Sequence, residues 1–405
     1  MISADITCKV RRLGARPGFE LAGFAMSYAY VAFLALCVFE GYWLIDGGGR
    51  IIANDFVNVW AAGRLTLDGH PASAYDWAVH RGAEVAAIGY DFDGYYGWHY
   101  PPTFLFAAAL AGLPYLAAEV LWLAATLPAY LAAIRAAMGE RIGILLGFAF
   151  PGVIWNISAG QNGFLTAALI GGIVVNLTSR PILSGLCLGL LTYKPQFGLI
   201  FPLVLALDGR WRVIAAAAVT AALMIAASLA AFGIESWRAF IEWMPVTTAA
   251  VFGEGRGGLN KLQSLFGIVR WLGGAMTAAW VAQGALTAGL AMTLVFLNRQ
   301  RIRGEVKAAA LAAATLLATP YLYIYDFPVL AIPLALLVGL GLRDGFLRLE
   351  LAAIAAACGL VLVFPLIAMP SGFAAAILVA ALIARRAAAE VFAARQPAFA
   401  RAAVG

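Results

Sequence analysis

The chain has 405 residues, of which 63% are hydrophobic and 12% charged, with a mean hydropathy of +0.88 and a formal net charge of +6. A soluble domain of this length would carry about twice that charged fraction, which excludes a water-soluble fold and leaves an all-α, polytopic membrane protein as the expected class. The basic excess lies in short clusters between apolar runs, where the positive-inside rule accounts for it, so it does not read as a nucleic-acid footprint.

The basic run "CKVRRLGAR" at 8–16 precedes an apolar stretch from about Leu21 to Leu44. That stretch is too long and too aromatic for a cleaved signal peptide; it reads as the first span, with a cytoplasmic N-terminus. The cysteines Cys8, Cys37, Cys187 and Cys358 are scattered and read as small packing residues, not as disulfides or metal ligands.

Residues 45–100 form the expected first outer loop. It contains seven of the 21 acidic residues, all three histidines (His70, His80, His99) and a dense set of aromatics, and loops of this length rarely stay structureless unless functional. Phe56, Trp60, Gly63 and Leu67 recur at helical spacing, predicting an amphipathic helix over 55–68 that lies at the membrane interface and ends in "DGHPASAYD". Asn54 or Asp55 suits its N-cap. Asp55 also reads as a carboxylate at the rim of a polar crevice, where partial desolvation would make it a general base; capping and catalysis are compatible. Arg64 either binds a phosphate or snorkels along the interface. Asp76 reads as a turn residue. "DFD" at 91–93 resembles the acid-x-acid pair of metal-dependent transferases but is also ordinary in a polar loop, and no metal site is expected. His99 precedes "YPPTF" at 100–104, whose prolines open the next span.

The apolar stretch 102–136 is expected to divide at Pro114 into a short half-helix and one full span. "GQNG" at 160–163 supplies the amides of Gln161 and Asn162, suited equally to sugar hydroxyls and to helix ends. Short apolar runs at 182–193 and 196–207 flank "YKPQ". A lysine there is expensive without an anion, so Lys194 points to a phosphate, or to an ion pair with Asp326 or Asp55. A second outer segment is expected at 233–271, where "GLNKLQSLFG" offers Asn260, Lys261, Gln263 and Ser264, or simply the start of a surface helix. "TPYLYIYDF" at 319–327 places Tyr321, Tyr323, Tyr325 and Asp326 near the outer face. Keeping the basic clusters at 135–141, 178–181, 208–212, 298–307, 342–348 and 385–386 inside predicts about twelve crossings, with the short, interrupted helices converging on an outer crevice.

Taken in order, D-F-x-x-x-W-x-A-x-R-L, G-x-P, Y-D, Y-P-P, G-Q-N, K-P-Q, N-x-x-Q-S-L and T-P-Y…Y-D, from Asp55 to about Phe327, resemble glycosyltransferase family GT87. These are GT-C-fold membrane enzymes that include mycobacterial α-1,2-mannosyltransferases. The resemblance implies one GT-C-like domain over 1–405, a polyprenyl-phosphate sugar as co-substrate with no other cofactor, a lipid or glycan acceptor, and metal-independent transfer on the outer side of a bacterial plasma membrane. It implies Asp55 as the essential acid, with Arg64 and Lys194 on the donor phosphate. Trp60, Trp98, His99, Tyr100, Gln161, Asn162, Gln196, Asn260, Gln263, Tyr325 and Asp326 fall in the matching motifs as substrate-binding candidates. Related chains often carry a histidine between the Pro and the Tyr-Asp; Tyr321 to Ile324 has none here, which places more weight on Lys194 and Arg64. The alternative class is a transporter or flippase for an anionic amphiphile, which also uses broken helices and an intramembrane lysine but predicts two pseudo-symmetric halves that the sequence does not display.

Overall fold

In the computed structural model, residues 15–367 and 369–402 are described, with side chains to residue 394; Cys8 and most of the basic run that starts there lie outside the described residues. Of the described residues 78% are helical, and none lies in a strand. Helix α1 (Ala15–Phe39) exposes Leu21, Phe24, Tyr28, Val31, Leu36 and Phe39, an apolar surface that lipid covers.

The loop 45–100 is folded. α2 (Phe56–Leu67) and α3 (Trp77–Ile88) are joined by a 3-10 turn at Pro71–Tyr75. Asp76 caps α3, accepting from the amides of Ala78 (2.9 Å) and Val79 (3.1 Å), and Gly89 closes it at φ 89°. α2 is packed against protein over its first two turns. Phe56, Val57, Val59, Ala61 and Ala62 are buried, and Gly63 faces Ala108 and Ala111 so closely that a Cβ would sit 2.8 Å from the Ala111 Cβ. Small and apolar residues all round its first two turns favour protein packing over a headgroup layer.

The stretch after Tyr100 divides at Pro114: a 3-10 helix over Pro102–Gly112, then α4 (Tyr115–Met138). α5 (Ile142–Phe148) and α6 (Gly152–Ala159) bend by 57° about Pro151. α7 (Gly163–Asn176), α8 (Pro181–Leu190) and α9 (Phe201–Leu207) are short, and "YKPQ" runs between the last two as tight turns.

α10 (Trp211–Thr248) continues through a π turn to Gly253, a helical run of 43 residues. At 1.5 Å per residue that is about 65 Å, twice the hydrocarbon thickness. Gly233 resolves the excess by breaking the helix at φ 75°. The second half then folds over the first loop, with Phe240 against Tyr75 (5.8 Å) and Trp243 Nε1 donating to the Trp98 carbonyl (2.7 Å).

α11 (Leu265–Trp271), α12 (Met276–Asn298), α13 (Gly304–Ala318), α14 (Ala331–Asp344), α15 (Glu350–Leu362), α16 (Phe364–Ile367) and α17 (Ser371–Ala402) complete the chain. α13 and α14 are buried nearly all round and form the axis of the bundle, with α4, α7, α12 and α17 packed against them. Among the described residues, six helices are long and apolar enough to cross a membrane, seven if the bent α5–α6 pair is one span. The expected twelve crossings are therefore not twelve full-length helices: five of the apolar segments run only 10–17 residues.

Candidate functional site

Asp55 sits at the start of α2, but the capping work falls to its neighbour. The Asn54 Oδ1 accepts from the Phe56 amide (3.0 Å) and the Tyr115 hydroxyl (2.8 Å), while Asn54 Nδ2 donates to the Glu119 carboxylate (2.6 Å). Three hydrogen bonds fix Asn54, and among the described residues the Asp55 side chain makes no cap bond. Asp55 instead faces a cavity of about 430 Å³ between the 45–100 loop, α6, the 251–261 segment and the tyrosines of 321–325.

Among the described residues, its one side-chain hydrogen-bond partner is Gln161 Nε2 (3.3 Å). Desolvation raises the Asp55 carboxyl from the usual 3.8 to about 6; the Gln161 bond and the positive charges of Lys261 and Lys194 pull the other way without cancelling it. At pH 7 it is thus a weakly solvated carboxylate with a base strength suited to accepting a hydroxyl proton.

His99 lines the same cavity. Its Nδ1 lies 3.0 Å from the Gly97 carbonyl and its ring stacks on Tyr100 at 4.4 Å. Burial lowers its pKa to about 4, against the upward pull of that carbonyl, so the ring is neutral. The Gly97 contact assigns the proton to Nδ1 and leaves Nε2 an acceptor, with no hydrogen-bond partner among the described residues. Beyond His99 and Tyr321 lies a smaller cavity of about 220 Å³, lined also by Tyr100, Lys194 and Gln196.

Between the two, Gln161 and Asn162 are buried. The Tyr100 hydroxyl donates to Gln161 Oε1 (3.3 Å) and accepts from Asn162 Nδ2 (2.8 Å), leaving Gln161 Nε2 directed at Asp55. Gly163, next in the chain, meets the Tyr325 main chain so closely that a Cβ would collide with its carbonyl oxygen. This approach seats α7 against the tyrosine segment and brings Tyr325 into the cavity with Asp55.

Other expected site residues lie elsewhere. Lys194 is paired with Asp326 at 2.6 Å, both essentially excluded from solvent, so the ion-pair reading describes it and its charge is balanced within the protein. Asp326 also accepts from the Tyr323 amide (3.2 Å). Arg64 is removed from the cavity: it lies on the exposed face of α2 and pairs with Asp68 at 2.5 Å, because four residues along a helix places the two side chains together. Trp60 donates to the Leu113 carbonyl (3.0 Å) and anchors the break at Pro114. Trp98 is core, stacked on Phe104 at 5.8 Å. Gln263 is wholly buried and ties Asn260, Lys261 and Gly372 together through main-chain bonds. Asn260 lies in that turn, and the side chains of Trp60, Trp98, Asn260 and Gln263 are absent from the cavity wall. Asp91 of "DFD" pairs with Arg81 (2.9 Å).

Two cations that the sequence did not single out for this role stand on the cavity wall with Asp55: Arg256 and Lys261. Both are exposed, and Arg256 pairs with Glu254 (2.6 Å). Tyr95 and Tyr96 join the same wall. The signal for Lys261 was its place in "GLNKLQSLFG", but nothing local distinguishes it from a surface lysine.

A helical membrane bundle that sets a half-buried carboxylate of raised pKa among amides and tyrosine rings, with exposed cations on the same wall, has the makings of a group-transfer site for a hydroxylated, anionic substrate. Comparison with known sequences makes that class specific. The chain belongs to glycosyltransferase family 87, whose family model matches residues 98–320, and it is accordingly a membrane glycosyltransferase with donor and acceptor substrates. No curated protein and no solved structure matches it. The match is narrower than the motif resemblance: it contains His99, Gln161, Lys194, Arg256 and Lys261, while Asp55 precedes it and Tyr321 to Asp326 follow it.

Proposed function

We propose that the protein transfers a hexose, with mannose the first candidate, from a polyprenyl-phosphate sugar to a hydroxyl of a lipid or glycan. Transfer takes place on the extracytoplasmic side of a bacterial plasma membrane, in a GT-C-like bundle, by one inverting displacement that needs no metal. The acceptor oxygen attacks the anomeric carbon as its proton passes to the Asp55 carboxylate. The carbon–oxygen bond to phosphate breaks with its electron pair on the polyprenyl phosphate, which leaves as a stable anion and needs no general acid. One carboxylate therefore suffices, whereas glycosidases use two.

The growing charge on the phosphate does need positive partners. Lys261 and Arg256 supply them, in place of Arg64 and of Lys194, whose charge Asp326 balances. His99 Nε2 and the tyrosine rings suit the hydroxyls and faces of a sugar. The observation that carries this reading is Asp55 itself: a carboxylate relieved of capping by Asn54 and held in the cavity near pH 6.

The test is label transfer from a panel of polyprenyl-phosphate sugars by purified protein in detergent, with EDTA throughout. Transfer from at least one donor is expected. No transfer from any of them, with donor bound but unconsumed, overturns the reading.

A further inference from the structure

At the far ends of the same helices, six helix termini (of α4, α7, α9, α12, α13 and α14) enclose a third cavity, of about 380 Å³. α7 separates it from Asn162 by 14 residues, about 21 Å, so it is no part of the transfer site. Its floor is apolar, built of Val174, Leu294, Leu311 and Leu336.

Its rim is charged. Arg210 pairs with Asp208 at 2.5 Å and Arg343 with Glu305 at 3.0 Å. Lys307 differs from both: its Nζ donates to the Asn298 main-chain oxygen at 2.8 Å, and it forms no ion pair with a carboxylate among the described residues. An ammonium has three donors, and this one uses a single one. Three cations against two carboxylates leave the rim one positive charge in excess. Arg299 and Arg301, exposed on the neighbouring loop, add to the field outside the rim.

An apolar floor rules against a small hydrophilic anion, and an unbalanced ammonium at the mouth rules against a neutral lipid. We propose that this cavity binds an anionic phospholipid from the leaflet on that side, its phosphodiester at Lys307 and its first acyl segment over Leu294 and Leu311. The single negative charge of a phosphodiester matches the rim's single excess charge, and basic pockets between helix ends are suited to such headgroups. Because the occupant would touch several helix ends at once, its binding stabilises the bundle.

The test uses the full-length protein in neutral detergent, titrated with phosphatidylglycerol, with phosphatidylcholine of the same chains, and with inorganic phosphate, read by native mass spectrometry and by melting temperature. Phosphatidylglycerol is expected to bind at least tenfold more tightly than phosphatidylcholine and to raise the melting temperature. Lys307→Gln should reduce that preference to within threefold, Lys307→Arg should keep it, and Arg299→Gln, on the same face but outside the cavity, should leave it unchanged. The proposal falls if Lys307→Gln keeps the full preference, or if Arg299→Gln loses as much. It falls equally if inorganic phosphate alone reproduces the stabilisation, which would make the site one for a soluble anion.

Discussion

Replacing Asp55 by asparagine separates chemistry from architecture, because the α2 cap bond comes from Asn54 and not from Asp55. The Asp55 side chain accepts one long hydrogen bond, 3.3 Å from Gln161, and an amide of the same shape can occupy its place. Stability should not fall. A carboxyl whose pKa rises from 3.8 to about 6 on folding disfavours the folded state above pH 6 and ceases to do so below 3.8. Removing it at pH 7 thus relieves a cost of at most roughly 3 kcal/mol. Turnover should collapse. Loss of a general base typically costs 10²- to 10⁴-fold, or about 3–5 kcal/mol on the barrier. The assay is transfer of labelled sugar from a polyprenyl-phosphate donor with EDTA present, beside a melting curve of each protein. An Asp55→Asn protein that melts like the wild type and transfers within threefold of its rate would refute the assignment of Asp55 as base.

The remaining predictions concern the same cavity. Transfer by the wild type should decline about tenfold per pH unit below pH 6, as Asp55 takes up its proton, and Gln161→Leu should move that limb to higher pH by removing the hydrogen bond that favours the carboxylate; a pH–rate profile unchanged by the substitution would count against it. Lys261→Gln and Arg256→Gln should each raise KM for the donor and lower kcat/KM several-fold, whereas Arg64→Gln, which disturbs only an exposed pair with Asp68, should change neither; steady-state kinetics on the three variants decides between the two cation sets. Lys194→Met strands a buried Asp326 and should cost about 3–5 kcal/mol, most of it recovered when Asp326→Asn is added; melting curves in which the double variant is no more stable than the single one would contradict a structural pair.

Much of the membrane architecture is local and was legible in residue order. The apolar length of Ala15–Phe39, the break at Pro114 and the turn at Asp76 each follow from hydropathy or from the chemistry of one or two neighbouring residues. The four-residue spacing of Arg64 and Asp68 is local too, but the sequence reading placed Arg64 on a phosphate or at the interface, and the structure pairs it with Asp68 instead. The count of crossings was not readable in this way, because a short apolar helix and a full span have the same composition and differ only in what covers their ends.

The site itself needed the tertiary structure. Asp55 and Lys194 stood out by residue type, since a charge amid apolar sequence demands a partner. Which partner each received depended on distances between segments far apart in the chain: Lys194 met Asp326, and Asp55 met Gln161 and the mouth cations Lys261 and Arg256. His99 and Trp98 are adjacent aromatics in sequence, yet one faces a cavity and the other is core. Sequence determines which residues are costly to bury, because that is a property of each side chain. Packing alone decides which of those costs are met inside the protein and which are left open to a substrate.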